Sequence, residues 1–262
     1  MGTSGRKPVT LSICMMVKNE ADNLRRCLPS LKGIADELIV IDTGSTDDTM
    51  KIAKSAGAKV FEHPWENDFS KHRNQSISYA TGDWVFIIDA DEELFLEDAT
   101  SPDVLKTWLN QLPDDCMSAA VILSDIQRNM QAMRFNSVRL FRNGAVKYDG
   151  IIHNTPVITK GKPDAVLCQF VRLNHYGYDL TPEKQAQKRK RTEGLLLKRL
   201  EKSPDDVVAI FYLTQAYTAY GEFEEAAKYI ERYAETSKRI SVEFNGSIYC
   251  TAVSVYRKLA QK

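Results

Sequence analysis

Short apolar runs of strand length alternate with stretches of helical spacing through the first ninety residues. Thr10–Val17 (TLSICMMV) reads as a strand by its length and apolar character. The run breaks at Lys18-Asn19-Glu20, after which Asn23–Leu31 sets Leu24, Cys27, Leu28 and Leu31 on one helical face. Glu37–Ile41 predicts a second strand, and Asp42–Asp48 (DTGSTDD) predicts a turn into a helix capped by Ser45 or Thr46. That helix ends near Gly57. Lys59–Glu62 predicts a short third strand, Ser70–Ala80 a helix closed by Gly82, and Trp84-Val-Phe-Ile-Ile a fourth strand buried on both faces. The order β-α-β-α-β-α-β calls for a parallel sheet with right-handed crossovers.

After Glu93 the pattern changes. Ser101–Gln111 predicts a helix, and Met117–Ser124, Val138–Arg142 and Val166–Asn174 predict strands. They are expected to add antiparallel strands to the sheet and to form a second wall of a cleft. Tyr148–Asn154 reads as a loop or strand end rich in hydrogen-bonding groups. From Glu183 onward the chain reads as helical, with Ser203-Pro-Asp205 as a break and helix start. Ile210, Leu213, Tyr217, Ala226 and Ile230 fall at the large and small positions of a roughly 34-residue tetratricopeptide-type unit, with Gly221 at its turn. Its helices are expected at about Asp206–Tyr220 and Phe223–Thr236, and Ser241–Leu259 supplies half of another unit. The pattern therefore divides into an α/β domain over 1–180 and a helical appendage over 181–262. Roughly three such repeats are needed to stand alone, so the appendage must pack on the first domain or on another subunit. An unpaired helical face after Lys238 leaves a homodimer through the C-terminal helices open.

Composition narrows the classes. The chain has 262 residues, 43% apolar and 27% charged, an ordinary globular balance. Lys+Arg and Asp+Glu both total 35, which gives no electrostatic basis for nucleic-acid binding. The basic cluster Lys188–Arg191 reads as a solvated helix face. Five scattered cysteines with no Cys-x-x-Cys spacing fit a reducing compartment. No apolar run approaches the ~20 residues of a membrane span, and the first residues lack the apolar core of a signal peptide. These features predict a cytoplasmic protein with no transmembrane segment.

The candidate chemistry lies at strand ends. Lys18, Asn19, Glu20, Asp42, Asp89 and Asp91 each follow a strand and gather at one sheet edge. Residues i and i+2 of an extended chain point to one side. Asp89 and Asp91 are thus expected to aim oxygen ligands into one space at the carboxyl end, where open α/β sheets bind ligands. Mg²⁺ or Mn²⁺ with phosphate oxygens is the natural occupant. Asp42-Thr-Gly-Ser45 copies an aspartic-protease tetrapeptide, but such a protease needs two copies and this chain has one. A phosphoryl-aspartate enzyme would want a carboxylate at position 44, where Gly44 stands. Neither a phosphate-binding Gly-x-x-x-x-Gly-Lys loop nor a dinucleotide Gly-x-Gly-x-x-Gly turn is present. A nucleotide site built from acids remains.

Four ordered motifs then match a known pattern: Val17-Lys-Asn-Glu20, Ile39–Thr49 (IVIDTGSTDDT), Arg73-Asn74, and Gly82-Asp-Trp84 with Asp89-Ala90-Asp91-Glu92. Together they resemble family 2 glycosyltransferases of GT-A fold over the first two-thirds of the chain. Within that family the chain is similar to lipopolysaccharide-core glucosyltransferases and bacteriocin S-glycosyltransferases, some of which carry tetratricopeptide helices. The resemblance implies a GT-A, Rossmann-like mixed sheet with helices on both faces. It also implies an inverting transfer from a nucleotide sugar, most often a UDP-sugar, with Mn²⁺ or Mg²⁺. The acceptor stays open among a glycan, a lipid-linked glycan and a peptide. Asp42 would accept the base N–H, Val17 and Glu20 would line the base and ribose pocket, and Arg73 would face ribose or diphosphate. Asp89 would reach ribose or a metal-bound water, Ala90 would lie in the donor cradle, and Asp91 would bind the metal directly. His175, in Asn174-His-Tyr-Gly-Tyr178, would be a third metal ligand or a diphosphate contact.

The acceptor side departs from the pattern. The related branch commonly shows Gly-x-x-His-Glu, whereas this chain reads Gly150-Ile-Ile-His-Asn154. An amide is no general base near neutral pH, so Asp149 or His153 is expected to take that role, unless a low-pKa acceptor such as a thiol needs little help. Two other readings stand beside the transferase. One is a donor-binding scaffold, silent because of Asn154, that recruits a partner through its helices. The other is a nucleotidyltransferase with an Asp-based metal site.

Overall fold

The structure is a computed structural model that describes residues 7–97, 101–126, 133–177, 181–240 and 246–261. The chain divides into two compact units, Met1–Asp179 and Leu180–Lys262.

In the first unit, strands β1 (Leu11–Val17), β2 (Glu37–Asp42), β3 (Lys59–Glu62) and β4 (Trp84–Ile87) alternate with helices α1 (Ala21–Ser30), α2 (Thr49–Ser55) and α3 (Phe69–Ser78). β1 pairs in parallel with β2 and β4, and β2 with β3, as the alternating pattern requires. There follow β5 (Glu92–Leu96), α4 (Val104–Gln111), β6 (Cys116–Asp125), β7 (Met133–Arg142), β8 (Val146–Asp149), β9 (Thr155–Ile158) and β10 (Lys162–His175). One eight-stranded sheet runs β3-β2-β1-β4-β7-β6-β10-β5. β7 lies antiparallel to β4 and to β6, and β5 antiparallel to β10, so the sheet is mixed. β8 and β9 form a separate antiparallel pair.

Strand periodicity builds two cores, because successive residues face opposite sides. β1 sends Leu11, Ile13 and Met15 to one core and Cys14 to the other, and β4 splits Trp84 and Phe86 from Val85 and Ile87. The first core is closed by Leu24, Cys27 and Leu28 of α1, Ala53 of α2, and Leu105 and Leu109 of α4. The second is closed by Ile77 of α3 with Val146 and Tyr148 of β8. Helices on both faces of a mixed sheet are the architecture expected.

Local differences have local causes. Ser45 and Thr46 do not cap α2; Asp48 holds that position without a side-chain bond. Ser45 Oγ instead accepts the Asn19 N–H at 2.9 Å, and the Thr46 N–H donates to Asn19 Oδ1 at 2.7 Å. The turn is thereby fastened to the end of β1, with Asn19 at φ 56°. β5 and β9 were not expected, because Glu92-Glu93 opens one with two acids and Pro156 interrupts the other. β7 starts five residues earlier than Val138, on Met133–Ser137, a stretch that pairs with β6 while Met133 and Phe135 stay exposed.

The second unit holds α5 (Pro182–Lys202), α6 (Val207–Ala219), α7 (Phe223–Ile240) and α8 (Gly246–Leu259). Asp206 caps α6 by accepting the Ala209 N–H at 2.9 Å. Ile210, Leu213, Tyr217, Ala226 and Ile230 are all buried, so the repeat-type positions form the core of this helical segment. Gly221, at φ 75°, makes the turn between α6 and α7. α8 presents Tyr249, Val253 and Tyr256 to solvent. No helix among the described residues is long and apolar enough to cross a membrane.

Phe86 is fully buried at the centre of the first core. Phe86→Ala is expected to lower unfolding free energy by about 3–5 kcal/mol in a urea titration. A loss under about 1 kcal/mol would contradict this account of the core.

Candidate active site

The site starts where β1 and β2 end side by side, with Val17 opposite Asp42 in register. Asp42 is buried, and its Oδ1 accepts the N–H groups of Gly44 and Ser45 at 2.9 and 2.8 Å. Gly44 sits at φ 103°, which frees the turn to wrap around that oxygen. The other carboxylate oxygen, Oδ2, is buried with no hydrogen-bond partner among the described residues. A buried acceptor left unpaired is costly, so this oxygen can take a donor from outside the chain. Glu20 accepts from Asn23 Nδ2 at 2.6 Å. Val17 and Ala90, expected along the donor pocket, bury their side chains in the first core, so only their main chains are left for the pocket.

Asp89 and Asp91 depart from the expected geometry. β4 stops at Ile87, and the Glu92 N–H donates to the Asp89 carbonyl at 3.0 Å. The segment is a turn and not an extended strand, so the i, i+2 rule does not apply and the two carboxylates meet different partners. Arg73 Nη2, from α3, donates to Asp89 Oδ1 and Oδ2 at 2.8 and 3.0 Å. Arg139 Nη1, from β7, reaches Oδ2 at 3.4 Å. Burial by itself would raise the Asp89 pKa, but the two guanidinium groups outweigh it and hold the carboxyl well below its usual range. Arg73 also keeps a buried Nε with no partner among the described residues. Glu92, fully buried beside this pair, accepts from Arg139 Nη2 at 2.6 Å and from the Asp89 N–H at 2.8 Å. Burial pushes its carboxyl up, and the Arg139 contact opposes the rise.

Asp91 faces His175 instead. Its Oδ2 lies 3.3 Å from Nε2, while Nδ1 of the same ring meets Asp125 Oδ1 at 2.8 Å. Gly177 closes the space: a Cβ there would lie 2.4 Å from both Asp91 Oδ2 and His175 Nε2. The three expected metal ligands are therefore not drawn together. Asp91 and His175 converge, whereas both oxygens of Asp89 are committed to arginines. No group of three or more His, Cys, Asp or Glu is arranged to hold a metal ion among the described residues. The Asp91–His175 pair still suits a cation. It combines oxygen and nitrogen donors, the far ring nitrogen is oriented by a carboxylate as in metal-bound histidines, and the cradle is one that a side chain would fill.

On the acceptor side, Asp149 ends β8 and His153, at φ 48°, is exposed on the loop to β9. α3 grips this loop. Ser70 Oγ donates to the Gly150 carbonyl, the Phe69 N–H to the Ile151 carbonyl at 2.9 Å, and Asn74 exchanges two bonds with the Tyr148 main chain. The helix that carries Arg73 thus also positions the loop of Asp149, His153 and Asn154. A cavity of about 880 Å³ between α1, α2 and the Leu31–Leu38 segment shares no residue with this edge. The sequence reading missed Arg139, Glu92, Asp125 and Gly177. Glu92, at the end of the Asp-Ala-Asp-Glu motif, and Gly177, inside the His-Tyr-Gly triplet, stood in motifs that could have flagged them; Arg139 and Asp125 did not.

A mixed sheet of this order, with an acidic turn after its fourth strand and helices on both faces, defines a GT-A glycosyltransferase fold. The sequence profile of Glycosyl transferase family 2 matches residues 12–159, and the chain belongs to that family. A TPR repeat-containing protein of Synechococcus elongatus is 33% identical over 236 residues, covering 87% of this chain and 57% of its own length. The SPbeta prophage-derived glycosyltransferase SunS of Bacillus subtilis is 28% identical over 235 residues, covering 88% and 55%. A solved structure of glucosyl-3-phosphoglycerate synthase from Mycobacterium tuberculosis, in complex with phosphoglyceric acid, covers 44% of each chain at 26% identity with a TM-score of 0.34. The chain spans little more than half the length of the two sequence relatives.

Burial by itself would lower the pKa of His175, but Asp91 and Asp125 outweigh it and push it up to about 9, above the ordinary value of 6.5. A raised folded-state pKa contributes stability that is complete below the unfolded value and is lost as pH rises through the folded one. In EDTA, the melting temperature of the wild type should therefore drop relative to His175→Gln between pH 6.5 and 9. Parallel profiles for the two proteins would refute the assignment.

Proposed function

We propose that this chain is an inverting glycosyltransferase that moves a sugar from a UDP-sugar to an acceptor with the help of a divalent cation. The observation that carries the reading is the unpaired, buried Oδ2 of Asp42. Uracil presents an N–H on its ring edge between two carbonyls, and a carboxylate oxygen is its natural acceptor. Cytosine presents a bare ring nitrogen at that position, so Asp42 selects against it. Arg73, with its own unpaired Nε, lies next to Asp89 and faces the ribose or the diphosphate.

Asp91 and His175 Nε2 would hold the cation, and an imidazole beside a carboxylate suits Mn²⁺ better than Mg²⁺. The cation supplies neutralisation of the diphosphate charge that grows as the leaving group departs. The chain's own part is binding and orientation. Asp42 fixes the base, Arg73 and Asp89 fix the middle of the donor, and the α3-clamped loop presents Asp149 and His153 to the acceptor. The acceptor's nucleophilic atom bonds to the anomeric carbon as the bond from that carbon to the diphosphate oxygen breaks. The acceptor's proton passes to Asp149 or His153.

Asn154 favours one second reading, a donor-binding scaffold with weak or no turnover that recruits a partner through its helices. Incubation with UDP-sugars and Mn²⁺ separates the two, since a transferase leaks some sugar to water and releases UDP. Release of pyrophosphate would instead mark a nucleotidyltransferase.

In Asp42→Asn, the two N–H groups on Oδ1 hold the amide so that its NH₂ takes the place of Oδ2. UDP affinity should fall roughly 10–100-fold, the effect of one unmatched buried polar pair, while CDP affinity does not fall. Equal losses for both nucleotides would rule out Asp42 as the base reader. Asp91→Ala should abolish metal-dependent donor binding by calorimetry, and an unchanged affinity would sink the cation assignment.

A further inference from the structure

β7 carries a bulge at Arg139. Its neighbours Val138 and Leu140 pair with Ala120 and Ala119, which are consecutive, so Arg139 is the extra residue on its strand. A bulge breaks the alternation and re-aims the side chain it inserts. Here it turns a guanidinium into the acidic turn, where the group is nearly excluded from solvent. Nη2 donates to Glu92 Oε1 at 2.6 Å, Nη1 to Asp89 Oδ2 at 3.4 Å, and Nε to Ser137 Oγ at 3.0 Å. The second oxygen of Glu92 accepts the Asp89 N–H at 2.8 Å. Arg139, Glu92 and the main chain and carboxylate of Asp89 therefore form a closed circuit of bonds.

Glu92 has a second role by position. Its main chain is the register partner of His175 across β5 and β10, and it follows Asp91 directly. The residue that Arg139 grips thus anchors the backbone beneath both members of the Asp91–His175 pair.

We propose that Arg139 is a positioning residue of the donor site: through Glu92 it locks the Asp89-Ala90-Asp91 turn so that Asp91 meets His175 across the space left by Gly177. The function of that lock rests on the reading of this edge as a metal and donor site. Each of the three guanidinium nitrogens of Arg139 donates to the chain, so it acts on the cation and the donor through Asp91 and Asp89. A lysine cannot replace it. One ammonium on a flexible stem lacks the planar fork that spans two carboxylates in fixed directions.

The test compares wild type, Arg139→Lys and Arg139→Gln by hydrogen exchange of the Asp89 amide and by calorimetry with Mn²⁺ and with UDP. Arg139→Lys keeps a positive charge beside Glu92, so it retains the fold even where Arg139→Gln, which strands a buried carboxylate, does not. In Arg139→Lys the Asp89 amide should exchange at least tenfold faster while the core amides of β1 and β4 keep their protection. Mn²⁺ affinity should weaken at least tenfold in the same variant. Wild-type protection at Asp89 overturns the lock, and faster exchange with undiminished Mn²⁺ affinity overturns its role in placing Asp91. If the wild type binds neither Mn²⁺ nor UDP, the donor-site reading fails, and the lock is still decided by the Asp89 amide.

Discussion

One carboxylate joins the two halves of the sheet. Asp89 follows the central strand β4, which has the parallel half of the sheet on one side and the mixed half on the other. Arg73 reaches it from the helix serving the parallel half, and Arg139 from the first antiparallel neighbour. Buried charges persist only when paired and hydrogen-bonded, and the two arginines bring Asp89 within that rule. The same pairing stops Asp89 from turning towards Asp91. The acidic turn is therefore divided, with one acid structural in its contacts and the next one presented to His175.

This division gives the edge a graded electrostatic character. Asp42 and Glu92 are buried, and Asp89, though partly exposed like Asp91 and His175, is held by two guanidinium ions. Among the described residues, the buried side-chain atoms left without a hydrogen bond include one oxygen of Asp42 and one nitrogen of Arg73 at this edge. Buried polar atoms are nearly always paired, so these two are open to a polar ligand. They lie on the two elements, β2 and α3, that the resemblance assigned to the base and to the ribose or diphosphate.

The α/β order of the first unit was legible because its signals are local. β3 begins and ends at the predicted residues, and the buried face of α1 carries Leu24, Cys27 and Leu28 as their spacing requires. The repeat-type positions of the second unit were legible for the same reason. Less visible was anything that depends on pairing. β7 before Val138 is exposed and has no buried apolar face, and β5 opens on two acids. Ser45 and Thr46 looked like helix caps, since nothing local reveals that Asn19 competes for them.

The sequence by itself determined which chemistry is present: acids at the ends of β2 and β4, an arginine on α3, a His-Tyr-Gly triplet, and the amide of Asn154 after His153. Residue type and strand-end position are written in the chain, and they set the charge and the edge of the sheet on which it falls. Only the tertiary structure decided which groups meet. Asp89 and Asp91 are two residues apart but face different partners, because a turn, two arginines and a glycine 86 residues downstream of Asp91 fix them. Arg139 joins the site because of one unmatched residue in a strand pairing. A bulge and a turn arise from long-range register, which no single stretch of sequence contains.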